Sequence, residues 1–329
     1  MKKVLITGIA GLLGSHLHRH LLNKGHTVIG IDDLSGGYRE FLSKNLDLVF
    51  YQRILGSDSI ADIFEIHKPD VVYHLAAFAA EGLSPFVRCF NYQNNIIASA
   101  SVINQCIKHN CKLIYTSSMA VYGDQEPPFN EDMEPRPVDP YGIAKYAVEM
   151  DLKQAHKQFG LRYNIVRPHN VLGIYQNIWD KYRNVIGIFI RQVLNQQPIT
   201  VYGDGNQTRA FSDVEYYMEP FEKLLDGFDG EIFNIGADKY STINEVAEIV
   251  KKIALKHGYE SSITHLEARD EVKHAYCHHA KAQNLLQFKD ETNLENLVDK
   301  MFGWAKNQPN RIVKKIQYEI QKNIYSYWK

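Results

Sequence analysis

The chain has no surplus of either charge. Its 37 lysines and arginines stand against 38 aspartates and glutamates, for a formal net charge of -1 over 329 residues. That balance does not draw the whole molecule to nucleic acid or to an anionic membrane, so an anionic ligand has to be held locally. Long apolar runs are missing too. Nothing approaches the roughly 18 residues of a membrane span, and Met1-Lys2-Lys3 leads directly into a strand-like segment instead of a secretory apolar stretch. Cysteine is scarce: Cys89, Cys106, Cys111 and Cys277 have neither zinc nor redox spacing, which points to reduced thiols in a cytoplasmic setting and to no metal site. Internal repeats and low-complexity segments are absent. The length is enough for one large α/β domain and a second, smaller lobe.

The first chemical signal is a glycine turn. Val4-Leu5-Ile6-Thr7 runs into Gly8-Ile9-Ala10-Gly11-Leu12-Leu13-Gly14, and His16 to Leu22 reads as a helix. Strand, turn and helix in that order let the backbone approach a pyrophosphate: Gly8 makes the turn, Gly11 clears the phosphate path, and Gly14 lets the helix pack with its N-terminal N–H groups toward the anion. A second strand, Thr27 to Ile31, ends at Asp32-Asp33. A carboxylate there accepts hydrogen bonds from ribose hydroxyls and repels a 2′-phosphate, so Asp32 predicts NAD in preference to NADP. Leu46 to Tyr51 reads as the third strand and Val71 to Ala77 as the fourth, with Leu75, Ala76 and Ala77 where a cofactor would cross the strand end. Phe86 to Lys108 reads as one long helix and Lys112 to Thr116 as the fifth strand, which delivers Ser117-Ser118 to the carboxyl edge. Alternating strands and helices predict a parallel, doubly wound sheet.

A proline-rich loop, residues 126–140, then drops into a helix from Tyr141 to about Phe159. Residues four apart lie one above the other on a helix, so Tyr141 and Lys145 can address one small volume. A phenol is a weak base at neutral pH, and a nearby ammonium favours the phenolate, while the Ser118 hydroxyl can share a hydrogen bond with a reacting oxygen. These three residues are the candidate catalytic group.

Thr7 to Gly14, Asp32, His74-Leu75-Ala76-Ala77, Thr116 to Gly123 and Tyr141 to Lys145 occur in the order and spacing of the extended short-chain dehydrogenase/reductase family, and the chain resembles its nucleotide-sugar epimerase branch. The resemblance extends to about residue 290. Arg167 to Gly173 resembles the segment whose Asn, here Asn170, contacts the phosphate region of a sugar nucleotide. Ile199 to Arg209 resembles the segment whose aromatic, Tyr202, packs on the base and whose arginine, Arg209, binds phosphate, and Arg269-Asp270-Glu271 resembles a late phosphate contact. Guanidinium groups suit phosphate oxygens in their own right. Phe233 to Gly236 resembles a strand returning to the sheet. The resemblance thus implies a Rossmann domain over residues 1–165, joined again by the chain near 211–236, and a nucleotide-sugar lobe over 166–329.

The implied reaction is removal of a proton from a sugar hydroxyl, usually at C4, by the Tyr141 phenolate, with Ser118 steadying the oxygen and Lys145 binding the nicotinamide ribose. The partner is then a nucleotide-diphosphate sugar, and the helices Phe86 to Lys108 and Tyr141 to Phe159 resemble the pair that makes a homodimer in this family. Met119 and Ala120, where related dehydratases and decarboxylases carry titratable groups, are inert, which favours a 4-epimerase. A C4 dehydrogenase or 4-ketoreductase, or more remotely a non-catalytic NAD-binding regulator, are the alternatives. Glu81 either binds a sugar hydroxyl or is a solvated loop carboxylate. Asn177 to Asn184 reads as a loop shaping the sugar pocket. Pro309 followed by Ile312, Ile316, Ile320 and Ile324 predicts an amphipathic C-terminal helix packed on the lobe or on a neighbouring subunit.

Overall fold

A computed structural model describes residues 1–269, 271–313 and 316–328. Strands β1 (Lys3–Thr7), β2 (Thr27–Asp32), β3 (Leu48–Gln52), β4 (Val71–His74), β5 (Lys112–Thr116) and β6 (Tyr163–Pro168) are joined by a late strand, Ile232–Ile235. They form one seven-stranded sheet ordered late strand, β6, β5, β4, β1, β2, β3, and every pairing in it is parallel. This is the doubly wound sheet expected from the alternation of elements. Side chains alternate across a strand, so Val4 and Ile6 enter one core with Leu17 and Leu21, while Leu5 enters the other with Ile63 and Val102. Both faces are covered by helices, and that is why the strands read as continuous apolar runs.

Helix Leu12–Asn23 begins directly at the glycine turn, four residues earlier than the sequence suggested. The fourth strand stops at His74, leaving Leu75, Ala76 and Ala77 outside the regular ladder. The predicted helix Phe86 to Lys108 is corrected: a short 3-10 turn covers Glu81–Phe86, the helix starts at Arg88, and a π-helical turn at Gln93–Ile97 interrupts it before Ala98–His109. Helix Pro140–Phe159 has a proline in its first turn and Asp139 as its cap, accepting from Tyr141 N at 2.8 Å and Gly142 N at 3.0 Å.

The second lobe has its own core. Helices Val185–Leu194, Ile243–Lys256 and Leu294–Ala305 pack Phe189, Ile190, Val250, Met301 and Phe302 together. A parallel pair, Ile199–Tyr202 with Ile263–Leu266, lies beside them. The predicted C-terminal helix is not formed. Among the described residues after Gln308 the only helical element is a 3-10 turn at Ser326–Trp328, and Lys314 and Lys315 lie outside the described residues. Ile312 is 101% and Ile320 41% exposed while Ile324 is 7% exposed, so the four isoleucines do not form one apolar stripe; Ile316 and Ile324 join the Phe86 and Trp328 cluster and the other two do not. Instead the segment runs back over the Glu81–Phe86 turn, where Glu319 N and Ile320 N both donate to Phe86 O at 2.9 and 3.2 Å.

Candidate active site

One cavity of about 1390 Å³ opens at the carboxyl edge of the sheet, between it and the second lobe. All the sequence-predicted site residues line it: Gly8, Gly11, Leu12, Leu13, Gly14, Asp32, Leu75, Ala76 and Ala77 at one end; Ser118, Tyr141, Lys145 and Glu81 in the middle; Asn170, Tyr202, Arg209 and Arg269 toward the other. A smaller depression of about 590 Å³, lined by Lys2, Pro69, Asp70 and Arg162, sits at the opposite edge and contains none of them. Ligands of open α/β sheets bind outside the carboxyl ends of the strands, so the larger cavity is the site.

The dinucleotide end is built from backbone. Gly8 has φ +71, and a Cβ there would stand 2.7 Å from Ala76 N; a Cβ on Gly14 would stand 2.3 Å from Gly8 O. Glycine is therefore required at both positions for the turn to lie this close to the start of the helix. The first helical turn has no acidic residue, so its N–H groups are left to an anion. Asp32 lies at the tip of β2, accepting from Ala10 N at 2.9 Å and Leu34 N at 2.8 Å. Burial pushes its carboxyl up to about 6, against the pull of those two amides. These residues fit a dinucleotide: a glycine cradle for the pyrophosphate and a carboxylate one strand away for the ribose.

Ser118 caps the short turn Met119–Tyr122, its Oγ accepting from Ala120 N at 3.1 Å, and it lies on the same cavity wall as the Tyr141 phenol. Tyr141 is buried, and burial raises its phenol above the ordinary range; the Ser118 hydroxyl pulls it down, while Glu81 and Asp139 push further up. Lys145 is 2% exposed, and its Nζ donates to Thr116 O at 2.8 Å. It lies 5.9 Å from the Tyr141 ring centroid and 4.8 Å from that of Tyr115. Burial lowers its ammonium to about 7, opposed by the Glu149 charge. In this form desolvation dominates both groups, and the lysine serves a backbone carbonyl more closely than it serves the phenol. Glu81 is open to the cavity, yet the surrounding protein, with Asp139 next, pushes its carboxyl up to about 7. Ser84 fixes this corner: its Oγ donates to Glu81 O at 2.8 Å and to Asp139 Oδ1 at 3.3 Å, and accepts from Tyr141 N at 3.2 Å.

The far end is more engaged than the sequence suggests. Arg209 donates to Glu271 at 3.3 Å and to the carbonyls of Thr208, Val272 and Lys273. The Arg269 guanidinium lies 3.4 Å over the Tyr202 ring and donates through Nε to the Tyr327 hydroxyl at 3.0 Å. Asp270, quoted with it, lies outside the described residues. Asn170, at φ +39, donates to Ala210 O at 3.0 Å. Arg167 is no ligand contact: it is 1% exposed and forms a bidentate pair with Glu149 at 2.9 and 2.6 Å beneath helix Pro140–Phe159. His169 is also withdrawn, stacked on His279 at 5.0 Å and bonded to it at 2.8 Å. Lys181, Tyr182, Arg183 and Asn184 line the cavity, as the loop reading of 177–184 anticipated. The sequence places the loop Phe78 to Pro85, with Ser84, near nicotinamide and sugar but gives Ser84 no role, and it misses Asp139, Tyr325 and Trp328 as site residues. Asp139 was legible in principle as an N-cap before Pro140; Tyr325 and Trp328 reach the site only through tertiary contacts. Among the described residues one group has metal-ligand spacing, His20, Glu219 and Glu222; Lys24 already bonds both of its carboxylates, at 3.3 and 3.1 Å.

A cradle for a dinucleotide leading to a buried phenol and a buried ammonium is the arrangement of an enzyme that works with a nicotinamide cofactor. The chain belongs to the NAD dependent epimerase/dehydratase family, whose model matches residues 4–236, and NAD is its cofactor. It is similar to the UDP-N-acetyl-alpha-D-glucosaminuronate decarboxylase of Bacillus cytotoxicus, 30% identical with 94% of this chain and 99% of that protein covered. Its fold superposes on the UDP-glucose 4-epimerase of Thermotoga maritima solved with UDP-glucose: TM-score 0.86, 30% identity, 92% of this chain and 98% of that one. The UDP-glucuronic acid 4-epimerase of Bacillus cereus, in complex with UDP-glucuronic acid and NAD, gives a TM-score of 0.84 at 28% identity over 92% and 99%.

Proposed function

We propose that the chain is an NAD-dependent nucleotide-sugar 4-epimerase with Tyr141 as its base. The observation that carries this reading is the convergence of Ser118, Tyr141 and Lys145 on the cavity that also holds the glycine turn and Asp32. Similarity to proteins named as 4-epimerases supports the position of attack. The inert Met119 supports epimerisation over elimination, since its side chain packs against an apolar cluster that includes Val121 and Phe129 and has no proton to move.

NAD bound along the turn supplies the acceptor for the C4 hydride and the donor for its return. Tyr141 takes the C4 hydroxyl proton and gives it back, with Ser118 holding the oxygen between them. Lys145 would hold the cofactor's ribose hydroxyls, and partners for its charged form would favour an ammonium that draws the phenol down from its raised value. Asp139 holds Tyr141 at the first turn of its helix. Arg209 and Arg269 bind the diphosphate, with Asn170 beside it and Tyr202 toward the base; Glu81 accepts from a sugar hydroxyl. Release of the 4-keto sugar before re-reduction would make the same machinery a C4 dehydrogenase or 4-ketoreductase. Native mass spectrometry with a panel of UDP, GDP and dTDP sugars tests the reading: retained NAD and one preferred nucleotide sugar support it, and failure to bind any member would end it.

A further inference from the structure

The C-terminal segment, which no motif explained, touches both substrate ends of the cavity. Its root is fixed at the sugar end. Glu319 N donates to Phe86 O at 2.9 Å, and its carboxylate accepts from Cys89 N and Phe90 N, both at 2.8 Å, at the start of the long helix. Trp328 is 6% exposed. It packs edge-on against Phe86 at 5.8 Å, Tyr182 at 5.0 Å and Tyr325 at 5.1 Å, and the Tyr318 hydroxyl donates to its carbonyl at 3.0 Å. It therefore ties the Glu81–Phe86 turn to the Tyr182 loop of the second lobe. At the other end the Tyr327 ring lies 4.6 Å from the Tyr202 ring, and its hydroxyl accepts from Arg269 Nε at 3.0 Å. The Arg269 guanidinium is 5.2 Å from the Tyr327 ring centroid and 5.1 Å from that of Trp328, so three aromatic faces with Tyr202 fix one cation.

We propose that residues 316–328 are part of the nucleotide-sugar site, with Tyr327 a positioning residue for Arg269 and Tyr202 at the nucleoside-diphosphate end and Trp328 a positioning residue for the Glu81–Phe86 turn at the sugar end. This rests on the nucleotide-sugar reading above and extends it to a segment outside the family model's residues 4–236. The strap's cavity-lining residues, Asn323, Tyr325 and Trp328, carry no charge. They therefore shape the substrate end without adding a carboxylate near phosphate. None of the strap's contacts named here reaches the glycine turn or Asp32, so its effect falls on one ligand and not the other. An arginine held on aromatic faces before the ligand arrives loses less freedom on binding, which is where the affinity comes from.

The test is calorimetric titration of the full chain with UDP, GDP, dTDP and NAD, alongside steady-state kinetics on the sugar substrate that the wild type uses. Tyr327→Ala should weaken the preferred nucleoside diphosphate about tenfold, the scale of a lost desolvated cation–aromatic contact, with NAD affinity within about twofold. Tyr327→Phe, which keeps the ring, should recover most of that loss. Trp328→Ala should raise KM with kcat within about threefold. Unchanged nucleoside-diphosphate affinity in Tyr327→Ala would overturn the proposal. So would an equal fall in NAD affinity and melting temperature, which would make the strap a fold element only. A wild-type chain that binds NAD and no nucleoside diphosphate would instead remove the functional reading beneath it.

Discussion

At the scale of single residues, the site is a set of groups displaced from their ordinary protonation by burial. Tyr141 is pushed up and Lys145 down to about 7, both chiefly by desolvation. Replacing Tyr141 by Phe keeps the ring in place and removes the proton acceptor, so turnover should fall by about 10²–10⁴ while NAD stays bound, measured by single-turnover kinetics on the loaded enzyme. Retention of a tenth of the wild-type rate would contradict the assignment. Glu81 gives a pH signature. The folded chain holds its proton up to about 7, whereas the unfolded chain loses it in the ordinary glutamate range near 4.3. Between those values folding takes up a proton, so this group's contribution to stability falls as pH rises through the window. Ionised Glu81 is the better acceptor for a sugar hydroxyl, so KM for the sugar nucleotide should drop as pH passes about 7. Glu81→Gln should flatten that step, and a step that survives the substitution would assign it to another group.

At the scale of elements, the sequence is legible where function sits on local geometry. The glycine turn, Asp32 at the end of β2, Ser118 after β5 and Tyr141 on its helix are each carried to the cavity wall by their strand or helix, so their placement follows from the order of elements, while the roles given to Ser118, Tyr141 and Lys145 also rest on the family resemblance. Gly14 shows how tight that geometry is: an added Cβ would meet Gly8 O at 2.3 Å and Ile9 Cα at 2.6 Å, both backbone. Gly14→Ala should cost about 1–3 kcal/mol of stability by overpacking and weaken NAD at least tenfold in a fluorescence titration. Normal NAD binding by that variant would mean the pyrophosphate lies elsewhere. The C-terminal segment was illegible for the opposite reason. Its isoleucine spacing imitates a helix stripe, but β-branched residues are indifferent helix formers, and the contacts that decide its path, Phe86 O to Glu319 N and Tyr202 to Tyr327, join residues more than a hundred apart. The π-turn at Gln93–Ile97 was hidden too, because no glycine or proline marks it and its one buried residue is Asn95.

At the scale of the whole molecule, two features remain outside the cavity and within it. Outside, the segment through the π-turn and its neighbouring helix Pro140–Phe159 leave Ile97, Ile143 and Met150 between 41% and 47% exposed. Such an apolar face on adjacent helices is costly to leave in water and suits a second copy of the chain. Sedimentation at micromolar concentration should therefore find a dimer, and a species of single-chain mass alone would contradict it. Within the cavity, the glycine turn, the Ser118, Tyr141 and Lys145 group and the Arg209 and Arg269 end lie in one continuous space, which is what the proposed re-reduction of a 4-keto sugar without release requires. The most direct measurement is incubation of the purified enzyme with its preferred nucleotide sugar in D₂O, followed by NMR and mass analysis. Inversion at C4 with no deuterium on any carbon is the predicted result. Deuterium at C3, C5 or C6, loss of water or of carbon dioxide, or a released 4-keto product in place of the inverted sugar would contradict it.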